Sequence, residues 1–380
     1  MVARVFPAAL HAHSVVTEPA FAFARRNPKC VPTRKGYAMP SPNNWLLIDV
    51  LDPRHPSVVA VGARTRSRVA LSSFIRAWDR DLVLAAVMKA CRHGTSVHAN
   101  SGSRAVAVDP IADEVTGLVH GVWLRVTHRS ADPIDRPSAW AFEWNLDTGV
   151  ARRCAIVSDT ETWAELGVEQ NRPISDGLAK LDLGSTTASI LANLVSGSHG
   201  TLVQQTAVEQ RPFGGPRTIQ FTARFVTEPT NSSDRTGNRL VRGISVDLGA
   251  VQTCEHAGLQ ASSLGDRIAL SLTSPREYRA IADPDSLRLL YWYGDAPEDI
   301  AWRNAHVVGA KPVLHPEDAI HAAVTAKLLK SSPFGTTRKL NLRFLTYQDG
   351  YTPISVTARA IDLDDRSRAL LLTLHPKTDE

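Results

Sequence analysis

Two histidines stand at matching places ahead of a Gly-Thr pair, in Arg92-His93-Gly94-Thr95 and Ser198-His199-Gly200-Thr201, and Phe334 takes that place in Pro333-Phe334-Gly335-Thr336. Imidazoles can ligate a metal or change charge near neutral pH. Each of these, however, lies one residue before a glycine expected to end a helix, where a cation suits the negative helix end. Capping accounts for both without a ligand. Trp45, Trp140 and Trp144 open expected strands and could line a pocket for a flat ligand, but indoles bury large areas and read as core anchors. Cys91, on an apolar helix face, reads as buried filler rather than a redox thiol. His11 and His13 lie in a stretch without periodicity, a poor place for a metal.

Linear catalytic signatures are absent: there is no GxGxxG, no GxxxxGK[ST], no HExxH and no GxSxG. Cys30, Cys91, Cys154 and Cys254 are widely separated with no CxxC pair, which argues against both a zinc site and a disulfide framework. The expectation is therefore no catalytic residue and no metal ligand, with cofactor and cofactor-binding residues left open. An enzyme whose acid and base converge only in space stays as the alternative.

The formal charge of +5 comes from 43 basic against 38 acidic residues. Arg4, Arg25, Arg26, Lys29, Arg34 and Lys35 against Glu18 account for all of it, so residues after 38 are net neutral. Nucleic-acid binding needs basic groups clustered on a folded face and is not expected. No apolar run reaches the roughly 18 residues that span a bilayer. The opening MVARVFPAALHAHSVV lacks the pattern of a signal peptide. The expected location is the cytoplasm, away from membranes.

The elements that would position any site repeat along the chain. An offset of 135 residues carries Gly200-Thr201 onto Gly335-Thr336 and Thr222-Ala223-Arg224 onto Thr357-Ala358-Arg359. Around the second match Ile219, Phe221, Ala223 and Phe225 alternate with polar residues, as do Ile354, Val356, Ala358 and Ala360, each predicting a strand with one buried face. Phe221 and Val356 should face cores, with Arg224 and Arg359 on the opposite faces.

Ahead of each Gly-Thr lies an expected helix. The first is capped by Asp79 and carries Val83, Val87, Ala90 and Cys91; the second runs from Ser185 through Leu191 and Val195; the third opens at His315-Pro316-Glu317-Asp318 and continues through Ile320, Val324 and Leu328. Each unit begins with an apolar strand and an Asp turn, at Asp52-Pro53, Asp147-Thr148-Gly149 and Asp283-Pro284-Asp285. Ser101-Gly102-Ser103 and Phe213-Gly214-Gly215-Pro216 read as hairpin turns. The unit is thus two strands, a helical middle and three antiparallel strands. The predicted layout is an extension over 1–38, units over 39–130, 135–250 and 273–380, and a helical connector over 251–272.

That order resembles PAS domains, with GAF domains sharing a related antiparallel sheet, and His315-Pro316-Glu317-Asp318 is similar to the His-Pro-Glu/Asp-Asp element of many PAS domains. From about Asn43 to Pro376 the chain resembles the mycobacterial sensor-domain-only proteins, in which one GAF domain precedes two PAS domains. The resemblance implies an α/β (α+β) fold of three tandem GAF/PAS-like domains, each an antiparallel sheet with helices on one side. It further implies a non-enzymatic scaffold that binds small-molecule or protein signals and passes them to a separate signalling partner. The asparagine-cysteine flavin motif and the cyclic-nucleotide GAF pattern are missing, so no ligand identity carries over.

Overall fold

A computed structural model describes residues 44–159, 171–211, 215–229, 237–251, 277–306, 310–348 and 350–376. His11, His13, the N-terminal extension and the expected connector lie outside the described residues. Three antiparallel sheets follow one another along the chain, making the fold α+β. The first contains β1 (Leu46–Asp49), β2 (Ser57–Val61), β3 (Arg64–Ala70), β4 (Val97–Ser101), β5 (Arg104–Ala112) and β6 (Val119–His128), in the order β3-β2-β1-β6-β5-β4. The second contains β7 (Ala139–Asn145), β8 (Val150–Val157), β9 (Asn171–Pro173), β10 (Leu181–Asp182), β11 (Leu202–Glu209), β12 (Arg217–Glu228) and β13 (Asn238–Ala250), in the order β10-β11-β12-β13-β7-β8-β9. The third contains β14 (Tyr278–Ala282), β15 (Leu289–Tyr293), β16 (Thr337–Leu345), β17 (Tyr351–Asp362) and β18 (Arg368–Pro376), in the order β15-β14-β18-β17-β16. In each sheet the first strand pairs with the last. Helices α1 (Leu71–Phe74) and α2 (Arg80–His93) interrupt the first sheet, α3 (Ile174–Ala179) and α4 (Thr187–Ser196) the second, and α5 (Pro316–Ser331) the third.

The 135-residue offset survives at the level of hydrogen bonds. Leu202 pairs with Arg224 as Thr337 pairs with Arg359. Gly200 donates to the Phe225 carbonyl as Gly335 does to that of Ala360. α4 ends at Ser196 and α5 at Ser331, the same offset again. The two copies share one register because one turn geometry feeds the same pair of strands.

Several expectations need correction. The first sheet has a third strand ahead of its helix: β3 is turned back at Gly62-Ala63 and carries arginines at alternate positions, so hydrophobic alternation could not reveal it. Asp79 makes no capping hydrogen bond to α2; it is buried and bonds Arg104 at 2.7 Å. Gly94 does end α2 in the left-handed conformation (φ +63°), but Gly200 and Gly335 lie beyond their helices in the following turns. The turn after β7 is closed by Asn145, whose Oδ1 accepts from the backbone of Asp147 and Thr148, rather than by Asp147.

β12 is buried on both faces, not one. Ile219, Phe221, Ala223 and Phe225 enter the core under α4, while Gln220 and Thr222 face the first sheet and are also buried. The reason is a third core between the two sheets, formed by Trp45, Leu47, Val59 and Trp123 from one and Ala141, Cys154, Ile244 and Val246 from the other. Gln220 Nε2 donates 3.2 Å to the Val59 carbonyl across that seam. The second and third sheets are likewise joined, because Ile281, Leu290 and Ala369 pack into the core of the second. Val356 is buried and Arg359 exposed, as the alternation requires.

Candidate functional site

The three principal helices cover their sheets with different side chains. α2 buries Val83, Ala86, Val87 and Ala90, and α4 buries Ile190, Leu191, Ala192 and Leu194. α5 turns Ala322, Ala326 and Leu329 inward, while Ile320, Val324 and Leu328 are 67%, 55% and 56% exposed. Those three residues do form one helical stripe, as their spacing predicts, but the stripe faces outward. Small residues on the helix therefore oppose Ala280, Ala282 and Ala358 on the sheet, and the space they leave is a cavity of about 430 Å³. A void of that size falls within the range of small-molecule sites. The pocket beside Trp140, Phe142 and Trp144 in the second sheet holds about 40 Å³, too little for an organic ligand.

Leucines of β16 and β18 and the indoles of Trp292 and Trp302 line the large cavity. The two rings meet edge-on with centroids 5.7 Å apart. Trp292 Nε1 is buried and has no hydrogen-bond partner among the described residues, which is costly for a donor in an apolar wall. Polar groups are few. Ser286 is held by Asp283 at 2.9 Å, and Arg288 donates 3.1 Å to the Asp147 carbonyl; Asn304, Lys311 and Thr325 complete the polar lining. The start of α5 is fastened to β16: Arg343 bonds Glu317 at 2.7 Å and Asp318 at 2.8 Å, and its guanidinium pulls the Asp318 carboxyl down to about 2. The Tyr351 hydroxyl donates 2.8 Å to the Pro312 carbonyl and pins the segment before the helix.

None of the residues first considered for chemistry lines this cavity. His93 is exposed at the end of α2. His199 sits in the turn beyond α4 rather than at its cap, where Nδ1 accepts the Thr227 N–H at 3.1 Å. Phe334 is exposed in the corresponding turn. Trp45 and Trp140 are buried core anchors in two different cores, and Trp144 packs partly buried against the one that holds Trp140. Cys91 is half-buried, and burial pushes its thiol up to about 11, which keeps it protonated.

A second cluster escaped the sequence reading. Ligand-capable atoms of Asp113, His120 and Cys154 lie within 4.8 Å of one another, all buried. Arg152 already occupies both Asp113 oxygens at 2.9 and 2.6 Å, and burial pushes the Cys154 thiol up to about 12. Burial also pushes His120 down from 6.5 to about 4, although Nδ1 lies 3.1 Å from the Gly243 carbonyl. The folded chain thus refuses a proton that the unfolded chain accepts. Stability from this group is complete above pH 6.5 and is lost as pH falls toward 4. Between pH 7 and pH 5 the expected loss is about 2 kcal/mol. Urea titrations of the wild type and His120→Gln at both pH values check this; equal losses in the two proteins would overturn it.

Two family models match the chain, one toward each end. The Rv3651-like N-terminal model matches residues 44–134, and the Rv3651-like C-terminal domain model matches residues 262–380. No curated protein matches the chain. A crystal structure of an uncharacterized protein from Mycobacterium tuberculosis has the same fold, with a TM-score of 0.74 and 23% identity over 88% of this chain and 97% of that one. Far looser matches include an RNA-binding Light-Oxygen-Voltage receptor (TM-score 0.20, 12% identity, 62% of this chain and 95% of that one). Another is the periplasmic sensory domain of the Campylobacter jejuni chemoreceptor Tlp1 (TM-score 0.21, 11% identity, 63% of this chain and 72% of that one). Similarity that weak carries no argument. The chain is thus similar to Rv3651-like proteins toward both ends, over residues 44–134 and 262–380.

Proposed function

We propose that this protein is a non-enzymatic sensor scaffold of one GAF-like and two PAS-like units, over 39–130, 135–250 and 273–380, whose third unit takes up an apolar small molecule. The observation that carries the reading is the cavity of about 430 Å³ between α5 and the third sheet. Its described lining contains no carboxylate and no histidine, which favours binding over acid–base chemistry there. A ligand that changes the seating of α5 would act on a body whose sheets share cores, so the effect can reach a surface distant from the cavity. The receiver is a separate signalling protein in the cytoplasm, not a nucleic acid or a membrane. Among the described residues no helix is long and apolar enough to cross a bilayer.

Denaturing mass spectrometry of protein purified from its own cells should find a small molecule retained at near-stoichiometric amount. Cross-linking in those cells should recover one recurrent protein partner. Turnover of a metabolite by the isolated chain, abolished by a point mutation that leaves it folded, would overturn the reading in favour of an enzyme.

A further inference from the structure

The helices differ on their outer faces as well as on their inner ones. Of the large apolar residues in α2 only Met88 is exposed, at 43%, and in α4 none is. α5 exposes three: Ile320, Val324 and Leu328. Single apolar residues on a surface need no explanation, but these recur at i, i+4 and i+8 and so lie side by side along one ridge of the helix. Seating α5 does not require them, because the helix meets its sheet through Ala322, Ala326 and Leu329.

This surface carries its own complement in shape and in charge. Ala319 and Ala323, both half-buried, form the row beside the ridge, and a row of methyl groups is a shallow groove into which a ridge of larger side chains fits. Glu317, with its side chain 76% exposed, stands in the first turn of the helix, and Lys327, also exposed, lies toward its end. At about 3.6 residues per turn, Glu317, Ile320, Val324, Lys327 and Leu328 share one face, an arc of about 100°. Two α5 helices laid antiparallel and crossing at the level of Ala322 put Ile320 of each copy opposite Val324 of the other. The same register sets Glu317 opposite Lys327. A parallel pair in matched register would instead set Glu317 against Glu317 and Lys327 against Lys327. Glu317 already bonds Arg343 at 2.7 Å, and a carboxylate has the lone pairs to accept from a second cation.

We propose that the outward face of α5 is the contact surface of a two-fold symmetric homodimer of this chain. The two helices pack antiparallel, Ile320 against Val324, with a Glu317–Lys327 pair at each edge. Three large apolar side chains per copy bury far less than an obligate dimer does, so the association is reversible, with a dissociation constant on the order of 10 µM. It does not depend on what fills the cavity on the other side of the helix.

Sedimentation equilibrium of the full chain from about 1 to 200 µM should show monomer and dimer in exchange. Val324→Asp should weaken the dimer about a hundredfold, since it buries a carboxylate against the second copy's Ile320. Ile320→Ser serves the same purpose should that variant fail to fold. Val115→Asp, at a still more exposed apolar position in the first unit, should leave association unchanged. Glu317→Lys and Lys327→Glu should each weaken self-association about tenfold by opposing like charges. An equimolar mixture of those two variants should regain the affinity of the unaltered chain, because each copy then supplies the charge that the other lacks. A chain that stays monomeric throughout overturns the inference, and protection of α5 from deuterium exchange in that monomer would assign the stripe to another segment of the same chain. Dimerisation that survives both Val324→Asp and Ile320→Ser overturns it as well, by placing the contact on another surface. A mixture that associates no better than the separate variants would overturn the antiparallel register.

Discussion

Replacing Glu209 by alanine should destabilise the fold by about 3 to 5 kcal/mol. Glu209 stands at the end of β11 and its carboxylate joins two guanidiniums: Oε1 bonds Arg153, and Oε2 accepts from Arg211 Nε at 3.1 Å. Arg211 continues to Asp247 at 2.9 Å, and Arg217 reaches the same carboxylate at 2.9 Å. The cluster is deep in the second sheet, with the Arg153 side chain 7% exposed and its Nη1 already lacking a hydrogen bond. The Trp140 ring lies 4.9 Å beneath the Arg153 guanidinium, which softens the burial of that charge but cannot replace an anion. Arginine does not shed its proton at accessible pH, so removing Glu209 leaves a cation in an apolar wall. The double variant Arg153→Met/Glu209→Leu should be far less damaging than Glu209→Ala, since it removes both charges and keeps the volume. Urea unfolding of the three proteins measures this. A loss below about 1 kcal/mol for Glu209→Ala would mean that water reaches Arg153 and that the cluster behaves as a surface network.

What the sequence disclosed, and what it withheld, follows the range of the interactions involved. The repeat at 135 residues was legible because strand pairing with a fixed turn leaves its trace in local order: Thr222-Ala223-Arg224 and Thr357-Ala358-Arg359 keep equivalent partners. Helix spacing was legible too. Which side of a helix faces the sheet was not, for α5 spreads apolar and polar residues almost evenly around its axis, and periodicity groups Ile320, Val324 and Leu328 without saying that Ala322 and Ala326 lie inward. The cavity follows from that one reversal. A comparison of inner-face volumes along the three helices would have shown alanines in α5 where α4 has Ile190, Leu191 and Leu194. The third core was hidden for another reason: its two halves come from segments far apart in the chain, and the residues of β12 that face it, Gln220 and Thr222, carry the polarity of a solvent face. The Asp113–His120–Cys154 cluster belongs to the same class, since His120 and Cys154 sit on strands of different sheets.

Phe221→Ala is expected to cost about 3 to 5 kcal/mol, the range for deleting a buried aromatic side chain whose surroundings cannot collapse. The position allows little relaxation. Phe221 sits in the middle of β12, between Gln205 on β11 and Ser245 on β13, so both neighbouring backbones are fixed by ladder hydrogen bonds. Its ring enters the core shared with Ile219, Ala223 and Phe225, with α4 above and residues from the third sheet at the margin. The opposite face of the same strand offers a control. Thr222 is as buried, but points toward the first sheet and leaves its hydroxyl without a partner, so Thr222→Val exchanges an unsatisfied oxygen for a methyl group and should be neutral or stabilising. The pair of substitutions reads the register directly, because a shift of one residue would exchange the two faces and reverse their effects. Chemical denaturation of both variants gives the result. A loss under about 1 kcal/mol for Phe221→Ala, or a larger loss for Thr222→Val than for Phe221→Ala, would show that β12 pairs with β11 and β13 one residue out of the Phe221–Gln205 and Phe221–Ser245 register.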